Sequence, residues 1–223
     1  METDQLIAEI LNNDYLSGDH MNKFNDMLIL STTFEPQNVF FIGALEFVQP
    51  LPRDKKHFQL LSGNLTDVEA ITHWICTYYD GNSVFIFDSL NRQILDNEQK
   101  QYLNRLFSHS PPIHYVSVQR QPNGRGCGLF AIGFAVSLLN SRNPAYEQYD
   151  HVRMRDHLSQ IYRTENIQMF PSIHSYPSTG RLTRPKLNGR TFQPAIDSLE
   201  GTKRPKHLTL PPPPMKCSEP PQL

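Results

Sequence analysis

The sequence predicts a folded domain that mixes helices and strands, followed by a tail without regular structure. Between Tyr115 and Leu139, a run of strand formers, a glycine-rich turn and an uncharged apolar helix follow one another. Upstream, two runs rich in β-branched and aromatic residues flank an Asp-Gly turn, a pattern typical of a β-hairpin. From Ser175 onwards, ten of the 18 prolines occur among few large apolar residues, so this segment cannot bury enough surface to fold. We therefore expect a domain over residues 1–174 and a disordered tail over 175–223.

Two helices are predicted near the start of the chain. Residues 4–11 have the pattern of a short first helix. The polar segment Tyr15–His20 forms a turn, in which Ser17 or Asp19 can cap a second helix. That second helix places apolar residues at helical spacing: Met21, Phe24, Met27, Leu28 and Leu30. The next apolar and aromatic run, 38–48, is predicted to be buried, and its pattern leaves both helix and strand open.

The central strands follow. Residues 58–61 have the pattern of a short strand, and 71–79 and 84–87 form two longer ones around the turn at Asp80–Ser83. Antiparallel pairing of these two strands would bring Asp88, at the end of the second, towards His73 in the first.

Two amphipathic helices are predicted in the second half of the domain. The first spans 96–107, is capped by Asp96 or Asn97, and ends before Pro111-Pro112. A loop is expected over 140–149, and a last helix over 150–163 turns its apolar side chains inwards: Val152, Met154, Leu158 and Ile161.

Cys127 lies where the buried helix of residues 129–139 begins. Unpaired backbone N–H groups and the positive end of the helix dipole favour a thiolate over a thiol at that position. Gln121, six residues earlier, lies across the turn and can place an amide N–H beside the sulfur, where it would serve an oxyanion. Taken alone, this position also fits a small buried cysteine that only packs.

A cysteine nucleophile needs a base within hydrogen-bond reach and a third group that orients the base. His73 and Asp88 meet this requirement if the predicted hairpin forms, because one imidazole nitrogen would then face Asp88 and the other Cys127. Each side chain alone has a structural explanation, as a strand histidine or a strand-end turn former. Their joint placement at the ends of these elements favours a Cys-His-Asp triad.

Composition restricts the class of protein. The net charge is −1 over 223 residues, with an acidic body and a basic tail, so the chain as a whole shows no signal for nucleic-acid binding. Three widely spaced cysteines, Cys76, Cys127 and Cys217, form neither a disulfide framework nor a CxxC zinc motif. Cys76 is expected in the core, Cys217 as a solvated thiol, and the histidines show no metal-binding spacing.

Targeting signals are weak. The acidic start of the chain lacks the basic and apolar regions of a signal peptide, and no apolar run reaches the length of a membrane span. We expect an intracellular protein of the nucleus, the cytoplasm or both. Lys203–Lys206 is either a solvated linker or a nuclear import signal, and Pro211–Pro214 is expected to adopt polyproline geometry.

Three motifs resemble those of one enzyme family. His73-Trp74, the run Val84–Leu90 and the segment Gln121–Ala131 are similar in type, order and spacing to the Ulp/SENP-type cysteine proteases. Members of that family process SUMO and related ubiquitin-like modifiers, and adenovirus-type and transposon-borne proteases share their fold. The match covers about Tyr15 to Ser172. It implies an α+β, papain-like or adenain-type fold, in which a central mixed β-sheet packs on the helix that starts at the cysteine.

The resemblance also implies roles for individual residues. His73 would be the general base, Asp88 its orienting carboxylate and Cys127 the nucleophile. Gln121 would donate to the oxyanion. Trp74 would form one wall of a narrow tunnel that admits only the Gly-Gly tail of the modifier.

Two positions depart from the family pattern. The residue before the cysteine is usually Asp and here is Gly126, which is expected to loosen the turn or alter a substrate contact. The family's early Trp-Leu-x-Asp motif here begins with Tyr15, which would replace the second aromatic ring of the tunnel. Both changes bear on the identity of the modifier more than on the chemistry.

The leading hypothesis is a monomeric thiol protease or isopeptidase that needs no cofactor and cleaves after the C-terminal Gly-Gly of SUMO, NEDD8 or a similar protein. A viral or transposon-type enzyme that processes a polyprotein is the nearest alternative. A different class, an inactive module of the same fold that only binds ubiquitin-like proteins, also stays open. We expect neither a membrane nor a nucleic acid as partner.

Overall fold

A computed structural model describes residues 2–31, 50, 53, 56–63 and 73–175. Several predictions made from the sequence fall outside these ranges: the buried run 38–48, the start of the strand predicted over 71–79, and almost all of the tail. The predicted domain boundary therefore stays a prediction.

Five α-helices lie within the described part of the chain. They are α1 (Thr3–Leu11), α2 (Gly18–Ser31), α3 (Asn97–Leu106), α4 (Cys127–Leu139) and α5 (Met154–Thr164). Each corresponds to a helix that the sequence predicts. α5 begins later than predicted, so Val152 lies before it and is 74% exposed rather than turned inwards.

Four strands form a mixed sheet in the order β1-β2-β3-β4. Their bounds are β1 (His57–Ser62), β2 (Trp74–Tyr79), β3 (Val84–Phe87) and β4 (Ile113–Val116). β2 is antiparallel to both β1 and β3, and β4 pairs with β3 in parallel. The predicted hairpin of β2 and β3 is confirmed, with Gly81 in its turn at φ 101°. β4 begins two residues before Tyr115 and ends before Val118, which the sequence had placed in the strand.

The buried helix α4 packs against one face of the sheet. Every residue of α4 from Cys127 to Ser137 is buried, as its lack of charged residues predicts. Alternate residues of β2, including Trp74 and Cys76, join α4 in one hydrophobic cluster, because successive strand side chains point to opposite faces. α4 therefore begins beside Trp74, at the end of β2 that carries the candidate site.

The opposite face of the sheet is covered by α3. Tyr102, Leu103 and Leu106 of α3 pack with residues of the other face, such as Ile75. Asp96 caps α3 with a capping box, since its side chain accepts from the Gln99 backbone while the Gln99 side chain accepts from the Asp96 backbone. The sheet is thus buried on both sides.

The loop predicted over 140–149 is wrong in its second half. A 3-10 turn at Pro144–Tyr146 leads into β5 (Glu147–Tyr149), which pairs antiparallel with β6 (Ser172–Ser175). β5 has only three residues, and its partner lies more than twenty residues away, so no local pattern marks it. β6 also extends one residue past the predicted end of the domain at 174.

No helix in these ranges combines the length and the apolar character needed to cross a membrane.

Candidate active site

His73 lies immediately before β2 rather than within it, which corrects its predicted place in the strand. Its backbone carbonyl still accepts a hydrogen bond from the backbone N–H of Gly63, the residue that follows β1. The imidazole Nε2 lies 2.6 Å from Asp88 Oδ1. Asp88 follows β3 directly, and the antiparallel register of β2 and β3 brings the two side chains to the same end of the sheet.

The Cys127 sulfur joins this pair at the first residue of α4. Its thiol hydrogen-bonds with the His73 ring and with the backbone of Trp74. Since His73 Nε2 bonds with Asp88, Nδ1 is the ring nitrogen left for the hydrogen bond with the Cys127 sulfur. The structure thus brings together Cys127, His73 and Asp88, which lie in that order along one chain of hydrogen bonds.

The pKa values of these groups shift in the directions that favour an ion pair. Burial raises the pKa of the Cys127 thiol. The larger combined effect lowers this pKa, and it comes from the hydrogen bond and charge of His73 and from the backbone N–H groups of Trp74 and Gly128. Burial lowers the pKa of His73, but the hydrogen bonds to Asp88 and Cys127 outweigh that effect and raise it. Both shifts favour thiolate beside imidazolium.

Asp88 is buried, and it is held by more than the imidazole. Its Oδ1 accepts a second hydrogen bond from the Leu90 backbone, at 2.8 Å, and its Oδ2 accepts from Arg92 Nε, at 2.9 Å. Burial raises the pKa of Asp88, but the bonds from His73, Arg92 and Leu90 outweigh it and keep the carboxylate ionised. Sequence reasoning missed Arg92, although its position four residues after the aspartate was visible.

Gln121 lies on the chain segment that precedes Cys127. The side chain is buried at 6% exposure. Its Oε1 accepts from Ser89 Oγ at 2.6 Å, and its Nε2 donates to the Asn123 carbonyl at 2.5 Å. The backbone N–H of Gln121 also donates to the Ser89 carbonyl. Ser89 lies within the run Val84–Leu90, and the sequence suggested no role for it.

Trp74 and Gly128 fit closely at the start of α4. The Trp74 indole N–H donates to the Leu16 carbonyl at 2.8 Å, and the residue is only 6% exposed. A Cβ at Gly128 would lie 2.6 Å from Met21, 2.9 Å from Leu16 and 3.2 Å from Trp74. Glycine is therefore required here because the helix and the Leu16 segment approach so closely.

Tyr15 lies at the rim of the site and is 37% exposed. The Arg125 guanidinium stands over its ring, 5.6 Å from the centroid. Gly124 also lies near the Tyr15 hydroxyl, since a Cβ there would be 3.8 Å from it. Tyr15 thus contacts the turn that carries Arg125, two residues before the nucleophile candidate.

Gly126 occupies the N-cap position of α4 with φ −92°, which any residue adopts. A Cβ there would meet its nearest neighbours at 3.5 Å, which is ordinary contact. Arg155 of α5 donates to the Arg125 carbonyl in this turn, and it also donates to the Ile10 carbonyl in α1. The backbone of this turn thus has a direct hydrogen bond from α5 at Arg125, the residue before Gly126.

Other candidates for chemistry lie apart from this site. Cys76 is fully buried in the core as predicted, and burial raises the pKa of its thiol far above the ordinary value. Within the described residues, no group of three or more His, Cys, Asp or Glu side chains could hold a metal ion.

Solved structures with a similar architecture include SUMO protease domains. The C-terminal Ulp1 protease domain, solved in complex with Smt3, the yeast ortholog of SUMO, matches at a TM-score of 0.55 with 15% sequence identity. The match covers 72% of this chain and 82% of that one. A structure described as a de-sumoylating protease matches at 0.51, with 14% identity over 73% of this chain and 85% of that one. No protein-family model and no curated protein sequence matches the chain.

Proposed function

Since the chain has the Ulp/SENP-type protease fold, which confirms the α+β class expected from the sequence, we propose that it is a cysteine peptidase. The observation that carries this proposal is the hydrogen-bonded series Cys127–His73–Asp88 at the end of the central sheet. A nucleophile, a base and an orienting carboxylate are the three parts that thiol-dependent acyl transfer requires.

In this proposal the reaction begins from the Cys127 thiolate and the His73 imidazolium. The sulfur attacks the scissile carbonyl carbon, and the carbonyl π electrons move onto oxygen to give a tetrahedral oxyanion. Collapse of this intermediate breaks the C–N bond, and His73 gives its proton to the departing amine, which leaves a thioester on Cys127.

Water completes the cycle. Neutral His73 takes a proton from a water molecule as its oxygen attacks the thioester carbon, and a second oxyanion forms. Its collapse breaks the C–S bond, releases a carboxylic acid and restores the thiolate beside imidazolium. Asp88 holds the ring in place throughout, and the Gln121 amide N–H is the donor to the oxyanion in both halves.

The substrate we propose is the C-terminal tail of a SUMO-like protein. Cys127 and Trp74 are 3% and 6% exposed, so the reacting atoms lie below the surface and a thin chain reaches them most readily. A Gly-Gly tail, which has no side chains, meets that restriction. The SUMO proteases of the same fold support this substrate class, and NEDD8 is the closest alternative within it.

A panel of ubiquitin-like proteins with C-terminal electrophiles tests the proposal. SUMO, NEDD8 and ubiquitin probes are mixed with the wild type, with Cys127→Ala and with Cys76→Ala, a matched control that removes a buried thiol elsewhere. We expect a covalent adduct with the SUMO probe that is lost only in Cys127→Ala, as measured by intact mass.

Two other outcomes would support different functions. If no probe reacts while a small alkylating reagent still modifies Cys127, a protease for another substrate, such as a viral or transposon polyprotein, becomes the better explanation. If Cys127 resists even the small reagent, the fold serves as a binding module without turnover.

A further inference from the structure

We infer that Ser89 is a positioning residue that orients and polarises the amide of Gln121 as the oxyanion donor. This inference rests on the proposed function for the step that it accelerates. The contacts of Ser89 with Gln121 do not depend on the proposed function, because they lie between described residues.

The contact between the two side chains is short and buried. Ser89 is 1% exposed and Gln121 is 6% exposed, so neither polar group has ready access to water. Ser89 Oγ donates to Gln121 Oε1 at 2.6 Å. A second bond, from the Gln121 backbone N–H to the Ser89 carbonyl at 2.9 Å, holds the two chain segments at fixed separation.

The orientation of the amide is determined from both ends. The Asn123 carbonyl can only accept, so the amide atom that faces it at 2.5 Å must be Nε2. The opposite orientation would set Oε1 against the Asn123 carbonyl and leave the Ser89 hydroxyl without its acceptor. Since a buried polar group without a partner is costly, Ser89 and Asn123 both select the same orientation.

The Ser89 hydrogen bond also strengthens the amide as a donor. A proton shared with Oε1 draws electron density towards that oxygen and leaves the N–H groups more positive, as in other chains of hydrogen bonds. Nε2 carries two N–H groups, and Asn123 accepts one of them. The second N–H is the donor that our proposal assigns to the oxyanion.

The segment that carries Ser89 is itself anchored. Asn91, at φ 53°, donates to the Val118 carbonyl and accepts from the Val118 backbone, both at 2.9 Å. Asp88 and Ser89 are consecutive residues of this anchored segment. Asp88 orients the His73 ring, and Ser89 orients the Gln121 amide. The two halves of the proposed site are thereby set by one stretch of backbone.

Kinetics of Ser89→Ala test this role against a matched control. Ser137→Ala removes another buried hydroxyl, bonded to Tyr149 at 2.8 Å, ten residues along α4 from Cys127. On a SUMO fusion to a fluorogenic amine, we expect Ser89→Ala to lower kcat about tenfold with KM nearly unchanged, and Ser137→Ala to leave kcat unchanged. Thermal unfolding checks that both variants fold.

Two further readouts separate positioning from a general structural effect. Alkylation of Cys127 by iodoacetamide passes through no oxyanion, so Ser89→Ala should leave its rate unchanged. In a Gln121→Ala background, Ser89→Ala should cause no further loss of kcat, because the amide on which it acts is gone. Equal losses of kcat in both backgrounds would overturn the inference.

One further measurement needs no turnover. The side-chain carbonyl carbon of Gln121 should move upfield in Ser89→Ala, which removes the hydroxyl that donates to it, whereas that of the exposed Gln101 should not move. An unchanged Gln121 shift in the folded Ser89→Ala variant would contradict the inference. This result is independent of substrate, so failure of the proposed function and failure of the Ser89 role can be told apart.

Discussion

Asp88 is shared between two cationic side chains, and this sharing controls the charge of the candidate site. His73 approaches one carboxylate oxygen and Arg92 the other. Arg92 lies 39% exposed and its charge lowers the pKa of His73, against the larger raising effect of the Asp88 and Cys127 hydrogen bonds. Arg92 therefore both holds the carboxylate and opposes protonation of the imidazole.

Removal of the Arg92 charge should move the pH profile of activity. In Arg92→Gln, the pKa of His73 rises, because the nearby cation that disfavours imidazolium is lost. The alkaline limb of kcat/KM, which reports loss of the imidazolium, is expected to shift to higher pH. Arg92→Lys keeps the charge and serves as the control. A fall in kcat/KM without a shift of the limb would show that Arg92 only holds the carboxylate in place.

At the scale of elements, the start of α4 decides how the nucleophile candidate sits against the sheet. Two glycines flank Cys127, and they differ in the space available for a larger side chain. The space around Gly126 accepts a Cβ in ordinary contact, whereas the space around Gly128 is filled by Met21, Leu16 and Trp74. Only the second glycine is required by packing.

The pair Gly126→Ala and Gly128→Ala tests this difference. Gly126→Ala should leave stability unchanged or slightly higher, since its backbone angles suit alanine. Gly128→Ala should cost about 1–3 kcal/mol of unfolding free energy through overpacking against Leu16 and Trp74. Chemical denaturation measures both, and equal stability of the two variants would contradict the packing argument.

The cap of α3 is a second prediction at this scale. Asp96 accepts from the Gln99 backbone at 2.8 Å, in a capping box that both side chains complete. Asp96→Ala should lower the unfolding free energy by about 1 kcal/mol, and Asp96→Asn, which can still accept this bond, should lose less. The order of the two denaturation midpoints checks the prediction.

For the whole molecule, the buried histidine of β1 makes stability depend on pH. His57 is 2% exposed, and burial lowers its pKa from 6.5 to about 4, against a small raising effect of Gln59. Between these two pH values the unfolded chain binds a proton that the folded chain does not. Stability should therefore fall as pH decreases from 6.5 to 4, by up to about 3 kcal/mol from this group.

The dependence can be assigned to His57 with one variant. His57→Gln has no proton to bind, so its unfolding free energy should change less over the same pH range. The raised pKa of His73 acts in a different window, above pH 6.5, where its stabilising effect is lost as pH rises. A slope below pH 6.5 that is equal in both proteins would contradict the assignment to His57.

Truncation tests the domain boundary. β6 ends at Ser175, which pairs with Glu147, so a chain of residues 1–175 keeps every described strand. We expect this chain to retain the adduct formation proposed above. Loss of the adduct with unchanged thermal stability would show that residues 176–223 contribute to substrate binding.

Local chemistry was enough to predict much of the fold. The uncharged run after Cys127 made α4 a buried helix, the Asp-Gly turn made the β2–β3 hairpin, and Asp96 made a cap. Motif spacing then suggested His73, Asp88 and Gln121 beside the cysteine. The helix, the hairpin and the cap are visible in the sequence because each depends on residues close together in the chain, whereas the grouping of His73 and Asp88 with Cys127 was suggested by the predicted strand pairing and the family resemblance.

The tertiary structure decided what depends on residues far apart. β5 pairs with a strand more than twenty residues away, so its three residues looked like a loop. Ser89 became a partner of Gln121 only when β3 and β4 aligned in parallel and brought their following segments together. The sequence by itself determined which side chains are candidates for the proposed chemistry. Packing determined which of them meet, because hydrogen bonds depend on distance in space.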